Sequence, residues 1–350
     1  MLHETIPEAR RQVEICNACR YCEGYCAVFP AITLKTSFED GDVIQLANLC
    51  HNCRGCYYAC QYSDPHEFAI NLPAALADVR SDSWEAYAWP GPLARLFQRS
   101  GVALAGLLVI SFALIIMVAK SGALTFYDAM SHDLMVAIFA PAFVLPLIAL
   151  ALGVRKFWRT ANGGAVTLTR IKEAGKAAAA MKNLKGGHGE GCNFEDEDRF
   201  SQARRHFHQA AMWGFLLCFA STSSATVLHY GFDMPAPYGF FSLPKLFGVP
   251  GGVLLTLGAG GLAWLKTKAD PTLGAPARWG GEMAFSLLLA FVGASGLALY
   301  AATGRGAVTP LLAAHLSGVL TLFLLTPYSK MAHGAYRFAA LMNDAGTKRG

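Results

Sequence analysis

Eight of the ten cysteines fall into two copies of one spacing, and this repeat limits the N-terminal fold more than any other feature. The copies are Cys16-x2-Cys19-x2-Cys22-x3-Cys26 and Cys50-x2-Cys53-x2-Cys56-x3-Cys60. Three thiolates spaced three residues apart can each bind one iron of a [4Fe–4S] cube, and the fourth iron takes a cysteine from elsewhere. The repeat therefore predicts a helical, ferredoxin-like domain with two clusters.

In two-cluster ferredoxins the fourth ligand is exchanged between the two runs. The expected ligands are therefore Cys16, Cys19, Cys22 and Cys60 for the first cluster, and Cys50, Cys53, Cys56 and Cys26 for the second. Structural zinc favours pairs of ligands separated by a spacer, and a third cysteine at the same short interval has no place in a four-coordinate site. Disulfides are typical of secreted chains, whereas residues 1–15 are polar and contain no apolar signal-peptide core. Both alternatives are therefore disfavoured.

From Gly101 onward the chain contains long apolar runs, which bring its hydrophobic content to 54%. A transmembrane helix needs about 20 apolar residues. Six stretches have this length: 101–119, 134–152, 209–228, 247–265, 283–301 and 308–326. None contains Lys, Arg, Asp or Glu, although Glu282 stands at the edge of the fifth. The sequence therefore predicts an all-α protein in which a soluble head precedes a six-helix transmembrane bundle.

Basic residues between the spans predict the orientation. The connection 153–208 contains eleven Lys and Arg, 266–282 contains three and the segment after 326 contains four, whereas the other connections contain one each. By the positive-inside rule, both termini and the cysteine-rich head are expected on the cytoplasmic side of the inner membrane.

Four domain ranges follow from these patterns. They are a cluster domain at 1–83, an interfacial linker at 84–100, the transmembrane domain at 101–326 and a cytoplasmic tail at 327–350. The linker is interpreted as interfacial because tryptophan and tyrosine favour the headgroup layer, and it contains Trp84, Tyr87 and Trp89. Within the long connection, residues 169–185 are expected to form a helix that lies on the inner leaflet or is solvated. The Gly258-Ala-Gly260-Gly261 cluster inside the fourth span is interpreted as close helix packing.

Six histidines lie in or beside the apolar stretches: His132, His206, His208, His229, His315 and His333. Histidine is costly inside a bilayer, and neutral imidazole is a good axial ligand for haem iron. A hydrogen bond to a neighbouring helix is the alternative for any single one. No CxxCH sequence occurs, so covalent c-type attachment is excluded.

The spacing of four histidines favours haem. His208 and His229 are separated by about 31 Å of helix rise and lie near one face, and His315 and His333 are separated by about 27 Å. Because the third and sixth spans run antiparallel, His208 could meet His333 near the inner face and His229 could meet His315 near the outer face. One or two b-type haems in a cytochrome b-like bundle are thus expected. His206 and His132 are weaker candidates, since His206 points about 140° away from His229 and His132 is a spare near the outer face.

The order of these features carries a family resemblance. The two cysteine runs are fused directly to six spans, Arg204-Arg205-His206-Phe207-His208 enters the third, and Gly-Gly-His-Gly-Glu-Gly-Cys-Asn occupies 186–193. The chain resembles the tricarballylate-utilization protein B family, also called the CitB type, over nearly its whole length. The resemblance implies a partner flavoprotein that oxidises tricarballylate to cis-aconitate. This protein would then reoxidise the reduced flavin and pass electrons through its clusters and haem to the quinone pool, as the quinone-reducing component of an oxidoreductase system.

No GxGxxG loop follows a strand pattern and no P-loop is present, so the chain is expected to receive electrons from another protein and to have no nucleic-acid partner. Two other functions stay open. A transporter with regulatory clusters is disfavoured because proton and ion carriers usually place carboxylates within their spans. An anchor or redox sensor would hold a flavoprotein at the bilayer without passing electrons on.

Overall fold

The computed structural model describes residues 2–119, 131–184, 194–196, 199–302 and 308–347. Over these ranges the chain is helical, apart from one antiparallel ribbon of β1 (Phe194–Asp196) and β2 (Arg199–Phe200). The predicted all-α fold, with a helical head before six spans, is confirmed.

Five helices form the N-terminal head: α1 (Leu2–Cys19), α2 (Val28–Thr33), α3 (Asp40–Leu49), α4 (Gly55–Tyr58) and α5 (Leu72–Tyr87). At the start of α3 the N–H of Glu39 donates to the Asp42 carboxylate (3.1 Å), and at the start of α5 the Asn71 side chain accepts from the N–H of Ala74 (3.2 Å). These side chains satisfy backbone groups that a helix end leaves unpaired. The cysteine runs lie at the end of α1 and around α4, where the chain turns.

Eight further helices follow: α6 (Gly91–Ala119), α7 (His132–Thr160), α8 (Leu168–Ala179), α9 (Ala203–Phe232), α10 (Leu243–Lys268), α11 (Trp279–Ala301), α12 (Val308–Leu325) and α13 (Ala332–Thr347). All of these except α8 and α13 are long and apolar enough to cross a bilayer, and each contains most or all of one predicted stretch. The protein is therefore a multi-pass membrane protein. Helix α6 is interrupted by non-helical dihedrals at Ser100, which separates a polar first segment from the apolar part.

The C-terminal segment is an integral part of the head. Helix α13 buries Tyr336 and Ala340 in the same core as Trp84 and Phe157. The Tyr336 ring stacks on Trp84 with centroids 6.1 Å apart and contacts Phe157 edge-on at 5.9 Å. Aromatic pairs of this kind stabilise a core beyond the area they bury. Residues 327–350, interpreted from sequence as a tail, thus contain a helix that joins head and bundle.

The aromatic residues of the predicted linker have different environments. Trp84 and Tyr87 are 9% and 6% exposed, because α5 continues to Tyr87 and turns both rings toward Tyr336. Only Trp89 is exposed, at 69%. Trp84 and Tyr87 therefore pack in the protein core, while an interfacial position for residues 84–100 stays a prediction. A contact partner about 250 positions later in the chain cannot be inferred from local composition.

The helix predicted within 169–185 is α8, and it packs on α13. Ala174 on its inner face is buried. Gly346 of α13 contacts Arg170 of α8: a Cβ atom on Gly346 would be 2.1 Å from the guanidinium carbon of Arg170. Contact with α13, rather than with lipid or solvent alone, therefore holds this helix in place.

Helices α9 and α10 approach each other through small residues. A Cβ atom on Gly258 would lie 2.3 Å from the backbone nitrogen of Ala211, and one on Gly261 would lie 2.3 Å from the Phe207 ring. A Cβ atom on Gly260 would meet nothing within 4 Å. Close packing is thus confirmed for Gly258 and Gly261, where van der Waals contact between backbones replaces the hydrophobic driving force that lipid removes.

Glu282, at the head-side end of α11, forms ion pairs with two lysines. Its carboxylate contacts Lys266 of α10 and Lys330, which precedes α13, the latter at 3.0 Å. A carboxylate at this depth is retained only where it is paired. The lysines therefore explain why one acid is tolerated at the edge of a span.

We expect Gly258→Ala to destabilise the folded protein by about 1–3 kcal/mol, because the added methyl group forces α9 and α10 apart. Gly260→Ala, two residues away on the same helix, is the matched control and should leave stability unchanged or slightly improved. Thermal unfolding of both variants in one detergent measures the difference. Equal unfolding temperatures for the two would contradict the assigned contact.

Candidate functional site

The two cysteine runs meet at two neighbouring cavities in the head. The first has a volume of about 210 Å³ and is lined by Cys16, Cys19, Cys22, Cys56 and Cys60. The second, about 20 Å³, is lined by Cys26, Cys50, Cys53 and Cys56. Cys60 of the second run thus lies with the first run, and Cys26 of the first run lies with the second. This crossed arrangement fits the expected exchange of ligands, while iron binding by these cysteines stays a prediction.

The thiols lie in surroundings that disfavour free thiolates. Burial, and then the neighbouring sulfurs of Cys60, Cys22 and Cys19, raise the pKa of Cys16 to about 12. Burial, followed by Cys50 and Cys26, likewise raises the pKa of Cys56. Thiolate is the form that binds metal, and a bound cation supplies the charge that stabilises it. The thiols therefore suit a bound metal centre, whose charge would stabilise the thiolates.

The sulfurs are also too dispersed for a single ion. Among the residues that the structure describes, no three His, Cys, Asp or Glu side chains converge as the ligands of one metal ion do. Zinc requires four ligand atoms around one centre, whereas a cubane takes one cysteine at each of four irons. Two cavities lined by several cysteines fit clusters better than zinc.

Both cysteine runs contain a residue in the left-handed backbone conformation at the same position. The residue after the second cysteine of each run is an arginine with left-handed dihedrals, Arg20 (φ 58°) and Arg54 (φ 69°). A positive φ is uncommon for a residue with a side chain and is found at tight turns. It lets the chain reverse between Cys19 and Cys22, and between Cys53 and Cys56, so that both cysteines face the same cavity.

Arginines from three different helices hold the second run. Arg80 of α5 donates to the carbonyl of Cys50 (2.9 Å), and Arg337 of α13 donates to the same carbonyl (2.6 Å). Arg204 of α9 donates to the carbonyls of His51 (2.9 Å) and Asn52 (2.6 Å). A membrane span and the C-terminal helix therefore contact the cysteine loop directly.

Two of the predicted haem ligands are each four positions away in the chain from one of these arginines. His208 follows Arg204 on α9, and His333 precedes Arg337 on α13, so each histidine lies on the same helix face as its arginine. The two imidazole rings have centroids 5.9 Å apart and planes at 82°. The predicted meeting of His208 with His333 is thus observed as a ring contact, and it lies next to the second cysteine loop.

The ring nitrogens at this contact suit metal ligands. Burial, followed by the charge of Arg337, lowers the pKa of His333 well below its usual value, so the imidazole is neutral. Its Nδ1 contacts the carbonyl of Lys330, which leaves Nε2 for another partner. The Nδ1 atom of His208 is buried and has no hydrogen-bond partner among the described residues.

At the other end of the bundle the histidines pair differently. Spacing alone pairs His229 with His315, whereas the ring contact observed for His229 is with His132, at 4.2 Å between centroids and nearly parallel. The Nδ1 atom of His315 is within hydrogen-bond distance of Ser295 Oγ (3.2 Å), and its ring lies against Gly296, where a Cβ atom would be 3.0 Å away. His132 is the first residue of α7. Its position cannot be inferred from the angular positions of residues around α9 and α12.

The remaining candidates have simpler roles. His206 is exposed on the first turns of α9, as its rotation from His229 predicts. Cys218, the cysteine of α9, packs against Gly251 of α10. The Gly-rich stretch 186–193, with Cys192, lies outside the described residues. Sequence reasoning missed His51 and the three arginines because it used Arg337 only in the count of basic residues, and Arg204 only in that count and in the family resemblance. Their spacing of four residues from His208 and His333 is the signal that was available.

A family model described as citrate utilization protein B matches residues 93–350. The chain belongs to the citrate utilization protein B family. A second model, the citrate utilization protein B Fer4-like domain, matches residues 9–86, which include both cysteine runs. Citrate utilization protein B of Escherichia coli is 42% identical over 358 residues, which cover 100% of this chain and 94% of that protein. No solved structure matches this chain.

Membership of this family confirms the resemblance that the sequence carries. The Fer4-like match and the cysteine-lined cavities together support an iron–sulfur electron-transfer role for this citrate utilization protein B family member. Six membrane spans in the same chain place that role at a bilayer.

We expect Cys60→Ala and Cys16→Ala to abolish the same cluster, and Cys26→Ala to abolish the other, because the fourth ligand crosses between the runs. Each variant should lose about half of the iron and acid-labile sulfide of the purified protein. Cys218→Ala is the control and should keep both in full. Loss of one and the same electron paramagnetic resonance signal in Cys16→Ala and Cys26→Ala would contradict the exchange.

Proposed function

We propose that this chain is a membrane-bound electron-transfer protein that reoxidises a partner flavoprotein dehydrogenase and delivers the electrons to membrane quinone. The name of the Escherichia coli relative points to citrate utilization, and the family resemblance points to tricarballylate as the compound that the partner oxidises. The observation that carries the proposal is the contact of Arg204 with the second cysteine loop. Arg204 lies four residues before His208 on α9, so this contact brings the cysteine loop close to a predicted haem ligand.

Two [4Fe–4S] clusters and b-type haem, when bound, would supply one-electron chemistry between a flavin and a quinone, each of which exchanges two electrons. The proposed cluster ligands are Cys16, Cys19, Cys22 and Cys60, and Cys50, Cys53, Cys56 and Cys26. The protein's contribution is to hold these groups near one another and to shield them from water.

The first cavity supports an entry point for electrons. It is the larger of the two, and Tyr21 on its rim is 64% exposed. The second cavity is small, and Arg80, Arg204 and Arg337 bond to the backbone carbonyls of its lining residues Cys50, His51 and Asn52. A docked flavoprotein would therefore meet the first cavity, while the second faces the bundle.

The histidine contacts support the exit route. We propose His208 and His333 as ligands of an inner b-type haem, because one has an unpartnered buried Nδ1 and the other has its Nδ1 oriented by a backbone carbonyl. For an outer haem the stacked pair His229 and His132 is proposed, with His315 as a further candidate held by Ser295. The exposure of His206 argues against a ligand role.

Charge supports the orientation. The head, helix α8 and α13 lie on the same side of the bundle, and the connection 153–208, to which α8 belongs, contains eleven Lys and Arg. We therefore propose that the head and both termini face the cytoplasm across the inner membrane, where thiols stay reduced and available to iron.

His208→Ala and His333→Ala are each expected to remove a bis-imidazole b-type signal from the reduced-minus-oxidised spectrum, because an axial ligand is lost. His206→Ala, on the same helix as His208 but exposed, is the matched control and should leave the spectrum unchanged. The pyridine haemochrome assay measures haem content in the same samples. An unaltered spectrum in both buried variants would refute an inner haem at this contact.

The function itself is tested in vesicles that contain the purified protein and a quinone analogue, with chemically reduced flavin supplied on the head side. Quinone reduction is expected with the wild-type protein and should be lost in Cys53→Ala. No reduction in protein with full iron and sulfide content would favour the anchor or sensor. Preparations made under anaerobic conditions that contain no acid-labile sulfide would refute the electron-transfer proposal.

A further inference from the structure

We propose that Arg80, Arg204 and Arg337 give the second cluster a higher reduction potential than the first, so that electrons are driven from the exposed end of the head toward the membrane. This inference rests on the proposed function, because it requires both clusters to be bound. It adds a direction to the route and assigns that direction to three named side chains.

The geometry concentrates positive charge on one loop. The carbonyl of Cys50 accepts hydrogen bonds from Arg80 (2.9 Å) and from Arg337 (2.6 Å), and Arg204 bonds to the next two carbonyls. In the described part of the chain, the hydrogen bonds of Arg80 and Arg337 go to backbone carbonyls, which carry no net charge. The Arg337 charge is therefore available to the neighbouring sulfurs, whereas the charge of Arg80 also acts on the carboxylate of Asp78.

Burial makes these charges effective. Arg80 is 7% exposed, and Arg54, which stands inside the second run, is also 7% exposed, whereas Arg204 and Arg337 are half-buried. Water screens an exposed charge strongly and a buried charge much less. A guanidinium in this interior therefore acts on a cluster with much of its field intact.

Backbone orientation acts in the same sense. A carbonyl held by a guanidinium turns the opposite edge of its peptide, the N–H, away from the cation. The N–H of Asn52 is directed to the Sγ of Cys50 at 3.4 Å. Hydrogen bonds to cluster sulfurs and nearby positive charge both stabilise the more negative, reduced state and so raise the reduction potential.

The first cluster site differs in buried charge and not in N–H hydrogen bonds to sulfur, because Cys60 accepts such bonds from Tyr62 and Ser63. Arg20, which corresponds to Arg54, is exposed and donates to the carbonyl of Asn17 (3.0 Å). By contrast, Arg337 donates to the carbonyl of Cys50 (2.6 Å), and Arg54 is buried within the second run. The second run therefore interacts with a buried cation.

Each transfer moves one electron from the first cluster, which is oxidised, to the second, which is reduced, and no bond is formed or broken. Two such transfers account for the two electrons released when one reduced flavin of the partner is oxidised with loss of two protons. The quinone that accepts both electrons takes up two protons.

The test is an anaerobic redox titration of the purified full-length protein, followed by electron paramagnetic resonance. Signals are assigned with Cys16→Ala and Cys53→Ala. In the wild type, the second cluster is expected to be reduced at a higher potential than the first. Arg337→Gln should shift the second cluster to lower potential by at least a tenfold change in its reduced-to-oxidised ratio, about 59 mV for a one-electron couple. The first cluster should not shift.

Two controls separate charge from structure. Arg337→Lys keeps the charge but loses the forked hydrogen bonds, and it should retain most of the wild-type potential. Arg20→Gln removes the exposed arginine of the first run and should shift neither cluster appreciably, because water screens that charge. Arg204→Gln is measured in parallel. Whichever of Arg337→Gln and Arg204→Gln retains its iron tests whether the arginine charge raises the potential of the second cluster.

An unshifted second cluster in a glutamine variant with full iron content would overturn the inference and leave the proposed function intact. The same holds if the first cluster has the higher potential in the wild type. Absence of iron and sulfide from the wild type would instead overturn the proposed function.

Discussion

Hydrogen bonds from arginine side chains to the backbone of one cysteine loop connect the two halves of this protein. Arg204 enters the head from a membrane span, and Arg337 enters it from the C-terminal helix. Charged donors form stronger hydrogen bonds than neutral ones, and a guanidinium can contact two carbonyls at once. This connection determines the distance between the cysteine cavities and the histidines within the bundle, and any electron route through the chain depends on that distance.

Packing elsewhere in the protein supports this connection between the head and the bundle. Helix α13 is anchored by Tyr336 in an aromatic core with Trp84 and Phe157, so that Arg337 and His333 are presented from a rigid element. Helix α9 is held against α10 by backbone contact at Gly258, which positions His208. Electron carriers need constant separation, and both helices obtain it from contacts that leave little space for movement.

Charge is distributed unevenly along the same axis. Guanidinium groups bond to the backbone of the second cysteine loop, and Lys266 and Lys330 form ion pairs with Glu282 at the head-side end of the bundle. Among the residues that the structure describes, the first cavity is lined by tyrosines and by no arginine. An electrostatic gradient of this kind attracts negative charge toward the membrane, and an electron on a cluster is such a charge.

The sequence by itself determined the features that depend on neighbouring positions. Three cysteines at three-residue intervals specify one cavity through local turns, and 20 apolar residues specify a span because a bilayer has a set thickness. The meeting of His208 with His333 was predicted from helix rise along one continuous helix. That premise is wrong, because α12 ends at Leu325 and His333 lies on the separate helix α13, which begins at Ala332. Tertiary structure alone decided the stacking of His132 on His229, the burial of Trp84 and Tyr87 and the bonding of Arg204 to the carbonyl of Asn52. Each of these depends on packing between helices that are far apart in the chain, and periodicity within one helix contains no information about its neighbour.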